Sequence, residues 1–191
     1  MFDEQDFIPK QWGKLALSTC KYVGVGVITH HMVQLIKPEM IELGDYTRIE
    51  NFVFINGGSG MRIGKRNHFS WFMSVIGGGE LITGDFVSFG AGVRIVNGTD
   101  HYGDGKIISP LVPMESRGVY RCRIEFQKHA FIGTNTVIVP SVHKPNIVIG
   151  EGAIVGANSL VTKDIEPWTI NVGSPCKWTG KMRPKVSVPE P

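Results

Sequence analysis

The stretch Ile132-Gly133-Thr134-Asn135-Thr136-Val137, running on into Ile138-Val139-Pro140-Ser141-Val142, decides how this chain folds. It returns as Ile149-Gly150-Glu151-Gly152-Ala153-Ile154, Val155-Gly156-Ala157-Asn158-Ser159-Leu160 and Val161-Thr162-Lys163-Asp164-Ile165. Each unit opens on a branched aliphatic residue, usually follows it with glycine, and carries another small or aliphatic residue further on. Upstream the same six-residue beat falls on Leu43-Gly44, Ile49, Ile55, Ile63-Gly64, Phe69, Val75, Thr83-Gly84, Phe89-Gly90 and Ile95. That makes about fifteen units, or roughly five coils if three units complete one turn.

A very short strand cannot bury a face by itself. Three of them per coil can close a triangular prism, in which the opening Ile or Val points inward and stacks on its equivalents above and below. Gly, Asn and Asp then suit the corners, where a positive φ costs them little. A β-sandwich also turns regularly, but it needs longer alternating strands with turns about 8–12 residues apart. The six-residue spacing leaves no room for those. Both ends of such a column expose sheet edges that something must cover.

Breaks in the beat set the boundaries. Residues 1–35 lack it and are expected to form an N-terminal cap, 36–180 form the column, and 181–191 form a proline-rich tail. Between Ile95 and Phe126 no hexad occurs, which predicts a loop extruded over about 97–123, and loops of that length in compact domains usually carry function. A smaller insertion is expected at His143-Lys144-Pro145-Asn146-Ile147.

Composition narrows the class. A formal charge of +3, with 42% hydrophobic and 19% charged residues, describes an ordinary soluble chain and gives no basic stripe for nucleic acid. The most apolar early stretch, Tyr22 to Ile36, is broken by His30, His31 and Gln34, so no membrane span is expected. An acidic N-terminus without a signal peptide, together with three cysteines lacking zinc-like spacing (Cys20, Cys122, Cys176), points to reduced thiols and a cytoplasmic location.

These hexads, with Val161-Thr162-Lys163-Asp164-Ile165-Glu166-Pro167 and Gly173-Ser174-Pro175-Cys176-Lys177, resemble the hexapeptide-repeat acetyltransferases, in particular galactoside and maltose acetyltransferases and bacterial polysaccharide O-acetyltransferases. The resemblance covers roughly residues 40 to 180. It implies an all-β, left-handed parallel β-helix, a homotrimer with active sites between subunits, and acetyl-CoA as co-substrate. The left hand runs against the usual crossover rule, and only the resemblance implies it. Thr99-Asp100-His101-Tyr102 occupies the place of the family's catalytic histidine, with Asp and Tyr where Gly and Pro are usual. The resemblance also implies cofactor contacts at Thr134, Ala157, Thr162 and Lys163. Lys177, Lys181 and Arg183 are candidates for the adenosine phosphates, and Phe131 for packing on the cofactor arm.

The chemistry fits these residues. A thioester is already activated, so the protein must supply proximity, a base and oxyanion donors. His101 is the expected base, since imidazole is available in its neutral form near pH 7. Asp100, Asp104 or Glu125 could orient it. Asn97 and Tyr102 are candidate acceptor contacts, while Trp71, Phe72 and His68 share a middle coil and could face a sugar or a packed interface. The expected acceptor is a sugar hydroxyl, with a nucleotide-linked amino sugar as the alternative. No metal is expected: a carbonic-anhydrase-like reading would need three histidines on one ion, and the six present lack that family's close pair. Gly64-Lys65 is followed by Arg66 where a phosphate loop needs Ser or Thr, so that reading fails. A non-catalytic scaffold on the same column is the remaining alternative.

Overall fold

The computed structural model describes residues 17–101, 103, 105–109, 111–141 and 144–186, apart from the side chain of Met114. It is a left-handed β-helix of about seven turns with almost no helix. The first face stacks Tyr22–Val23, Ile41–Leu43, Gly60–Ile63, Glu80–Thr83, Arg123–Phe126 and Asn146–Ile149 in that order. The second stacks Ile28–Thr29, Arg48–Ile49, His68–Phe69, Ser88–Phe89, Phe131–Ile132, Ile154–Val155 and Thr169–Val172. The third stacks Gln34–Ile36, Phe54–Asn56, Ser74–Ile76, Arg94–Val96, Val137–Ile138 and Leu160–Val161. All these neighbours pair in parallel.

The opening residue of each hexad is the inward one. Leu43, Ile63, Thr83, Phe126 and Ile149 fall in register along the first face, and Ile49, Phe69, Phe89, Ile132 and Val155 along the second. Nearly all are fully buried. The three phenylalanines nest: Phe69 and Phe89 have centroids 5.1 Å apart, and Phe89 meets Phe126 edge-on at 4.9 Å. Such pairs add to the area they bury. Thr83 is tolerated inside because its hydroxyl accepts the Gly64 N–H at 3.1 Å.

Two expectations need correction. The column begins at Tyr22 rather than at residue 36, because Tyr22–Val23, Ile28–Thr29 and Gln34–Ile36 form a complete first coil on the second. Another partial turn, from Ile165 to Val172, closes the top, so five expected coils become about seven. Both end coils were hidden because few of their inward residues are Ile or Val followed by glycine. Before the tail, Lys177–Met182 pairs antiparallel with Thr169–Val172 and covers the exposed edge of the second face.

The corners depart from expectation too. Gly92, Asn135 and Asn158 take positive φ at the second corner, as expected, but so do Phe52 and Phe72. At the first corner the residues are Tyr46, Arg66, Phe86, His129 and Trp168, all with φ between 53° and 63°. Such backbone is strained for a non-glycine residue. Stacking along the column offsets that strain: Phe52 on Phe72 (5.0 Å), Phe86 on His129 (5.2 Å), and Arg66 over Tyr46 (4.9 Å).

Candidate active site

The third corner, between the third and first faces, is where the chain leaves the column. The extruded loop departs after Arg94–Val96 and returns at Arg123, and the smaller insertion leaves the same corner one coil later. A two-stranded antiparallel ribbon, Gly98–Asp100 on Val119–Arg121, carries the loop outward. Asn97 locks its neck. The side chain is fully buried, its amide oxygen accepts the Gly79 N–H at 3.0 Å, and its backbone carbonyl accepts the Cys122 N–H at 2.9 Å. Gly79 is obligatory here, since a Cβ would lie 2.0 Å from the Asn97 carbonyl oxygen and 2.2 Å from that of Cys122.

His101 is the first residue past the ribbon strand, half-buried, with its N–H donating to the Gly118 carbonyl. Beneath it Asp100 is buried and receives two hydrogen bonds from Arg117, from Nε at 3.2 Å and Nη2 at 2.6 Å. The pair ties the returning strand to the outgoing one just where the imidazole is presented. Of the three expected orienting groups, Asp100 is thus engaged by Arg117. Glu125 lies out on the first face, bonded to Arg123 at 2.6 Å. Asp104 lies outside the described residues, as do Tyr102 and His143. Beyond the ribbon the loop exposes Ile107, Ile108 and Leu111, the last at 92%.

The expected cofactor residues divide between places. Thr134 and Ala157 are exposed at the second corner, one coil apart. Their N–H groups donate to no described residue, which leaves two backbone donors in line for the carbonyls of an amide-bearing arm such as pantetheine. Thr162 and Lys163 follow the third face. Lys163 lines a cavity of about 550 Å³ at the top of the column with Lys144, Asp164, Thr169, Trp178 and Met182. Lys177 and Lys181 are exposed on the capping strand, where the Lys181 carbonyl accepts the Trp178 indole N–H at 3.0 Å. Phe131 stands outward on the second face. A triangular section places the third corner opposite the second face. The chain therefore leaves the column toward His101 at the corner opposite Phe131, while Thr134 and Ala157 stand at the other edge of the third face.

No family model matches the chain. It is, however, 30% identical over 158 residues to the dTDP-4-amino-4,6-dideoxy-D-glucose acyltransferase of Escherichia coli, covering 82% of this chain and 80% of that one. The chain belongs to the hexapeptide-repeat acetyltransferases. It is 26% identical to the galactoside O-acetyltransferase of Lactococcus lactis over 75% of its own length and 64% of that enzyme's. Among solved structures, the N-acyltransferase AntD of Bacillus cereus, in complex with dTDP and 3-hydroxybutyryl-CoA, superposes with a TM-score of 0.76 at 24% identity, covering 96% of this chain and 89% of that one. At that identity the likeness establishes the fold.

Two residues of this acetyltransferase escaped the sequence reading. Arg117 carries no motif, and only the ribbon pairing brings it to Asp100. Glu50 is buried among His30, Arg48 and His68. The only signal was a carboxylate standing at a corner position where the later coils have Ser70, Gly90, Gly133 and Gly156. Burial raises all three cysteine thiols, Cys20 to about 11, and so disfavours their thiolate forms. Among the described residues no group of three or more His, Cys, Asp and Glu could hold a metal ion, and no helix is long and apolar enough to cross a membrane.

Proposed function

We propose that this protein is a cytoplasmic, homotrimeric acyltransferase that moves an acetyl group from acetyl-CoA to a sugar, the first acceptor being a nucleotide-linked amino sugar. The observation that carries this reading is the divided site. His101 leaves one corner while Thr134 and Ala157 stand at another, so base and cofactor meet between neighbouring copies. The apolar loop tip at Ile107, Ile108 and Leu111 is the surface such a neighbour would cover.

In the reaction, the acceptor nitrogen attacks the thioester carbonyl carbon, forming C–N as C–S breaks. Neutral His101 takes the proton from the attacking nitrogen and hands it to the departing thiolate, leaving an amide and free coenzyme A. The Thr134 and Ala157 amides hold the pantetheine arm, and Lys163, Lys177 and Lys181 meet its phosphates as point charges. Asn97 acts from inside, fixing the loop, and Tyr102 remains a candidate acceptor contact.

The amino sugar is placed ahead of the hydroxyl because the relative matched over 80% of its length is named for an amino sugar. Transfer to a sugar hydroxyl is the second reading, supported by the galactoside enzymes of Lactococcus lactis and Escherichia coli at 26% identity.

Acetyl transfer to a panel of nucleotide-linked amino sugars and neutral glycosides separates the two. The amino sugars should be turned over faster, and His101→Ala should lower turnover by at least ~100-fold while leaving coenzyme A affinity nearly unchanged. A fully active His101→Ala protein would remove this imidazole from the chemistry.

A further inference from the structure

Glu50 is a carboxylate that the fold does not require. Its corner position is filled by Ser70 in the next coil and by Gly90, Gly133 and Gly156 beyond, so a small neutral residue suffices. Yet its side chain is only 3% exposed, and burying a carboxylate is costly unless cations or donors meet it. Three do. Arg48 Nε lies 2.6 Å from Oε1, His68 Nε2 lies 3.4 Å from the same oxygen, and His30 Nε2 lies 3.0 Å from Oε2, although out of hydrogen-bond alignment.

This arrangement aims groups outward. Arg48 uses Nε to hold the carboxylate, and its two terminal amino groups stay available on a side chain that is 51% exposed. His68 stands beside it in register, 39% exposed, with Ser88 on the strand above and Phe131 on the one after that. All four are outward residues of the second face, the face that carries Phe131 and opens onto the Thr134 and Ala157 corner. With strands about 4.8 Å apart, Arg48 is roughly 14 Å from Phe131 along the face. That span accommodates a diphosphate and one sugar ring.

We propose that Arg48 and His68, held by buried Glu50, form the subsite for the diphosphate of the acceptor, and that Ser88 lies beside the sugar that follows. This rests on the acyltransferase reading above, and it assigns the acceptor a phosphate-bearing class. Arg48 pairs with the phosphate oxygens as a planar donor. His68, with Nε2 turned to Glu50, offers its other ring nitrogen, Nδ1, and Glu50 touches no part of the substrate and serves as a positioning residue.

The test is calorimetric titration of the full-length protein with inorganic pyrophosphate and with dTDP, in saturating coenzyme A so that the cofactor's own phosphate contacts are filled. Both ligands should bind the wild type. Arg48→Gln and His68→Gln should each weaken binding by at least tenfold, and Glu50→Gln should weaken it with unchanged coenzyme A affinity. Wild-type binding of dTDP but not of pyrophosphate would place the recognition on the nucleoside and overturn the assignment. So would an Arg48→Gln protein that binds both as the wild type does. Failure to bind coenzyme A would instead remove the acyltransferase reading, while pyrophosphate titration without coenzyme A would still test the diphosphate subsite.

Discussion

Asp164 shows how single residues secure the top of the column beside the expected cofactor lysine. Burial raises its carboxyl, but the Lys144 ammonium at 2.6 Å and the Val148 N–H at 2.9 Å outweigh that and hold it below the ordinary carboxylate range. A group whose folded value is depressed stabilises the fold above its unfolded value and loses that contribution as pH falls through the folded one. Asp164→Asn should therefore lower the melting temperature at pH 7 by a degree or two, on the order expected for a half-exposed ion pair. That difference should shrink as melts are recorded at pH values falling below the ordinary carboxylate range. A gap persisting in acid would mean the asparagine disturbs packing rather than charge. Asp100 has its own residue-scale logic: it is buried against Arg117, so the acid before the histidine serves the ribbon as well as the sequence motif.

Elements in this molecule are too short to stand alone, and each holds only through its neighbours above and below. The neck of the loop is the sharpest case. Gly79 lets the Asn97 and Cys122 carbonyls close over it, and no side chain fits. Gly79→Ala should cost at least ~2 kcal/mol, read as a lowered denaturation midpoint, and should speed hydrogen exchange in the Gly98–Asp100 and Val119–Arg121 ribbon more than in Ile149 or Ile154. Uniform exchange across both would show that the neck does not hold the loop. The strained corners follow the same rule in reverse: Phe86 and His129 accept positive φ because each supplies the surface on which the other stacks.

At the scale of the whole molecule, the loop that carries His101 leaves one corner of the prism while Thr134 and Ala157 stand at another, and the proposed function joins them between copies. The loop tip that would bridge them is apolar and uncovered, Leu111 above all. Leu111→Glu, paired with Ile107→Glu, should shift the sedimentation velocity from trimer to monomer and reduce acetyl transfer by at least ~100-fold, since base and cofactor then no longer meet. Far-ultraviolet circular dichroism should stay as in the wild type, because neither side chain packs in the column. An active monomer would break the divided-site reading.

By itself the sequence determined the column, because each hexad opens on an inward residue, and Ile49, Ile55, Ile63, Ile95, Ile132 and Ile138 announce it. It also placed the loop, since thirty residues without the beat must leave the prism, and it set His101 at the loop's start. It could not count the coils, because Thr29 and Asn171 are inward by register alone and not by residue type. Nor could it see that Asn97 is swallowed by the loop neck, that Arg117 crosses to Asp100, or that Glu50 gathers residues from three successive coils. Those contacts join positions about twenty residues apart in the chain. Only the stacking of coil on coil, and for Arg117 the pairing of the ribbon, makes them neighbours, and no local pattern encodes which outward side chains the stack will align.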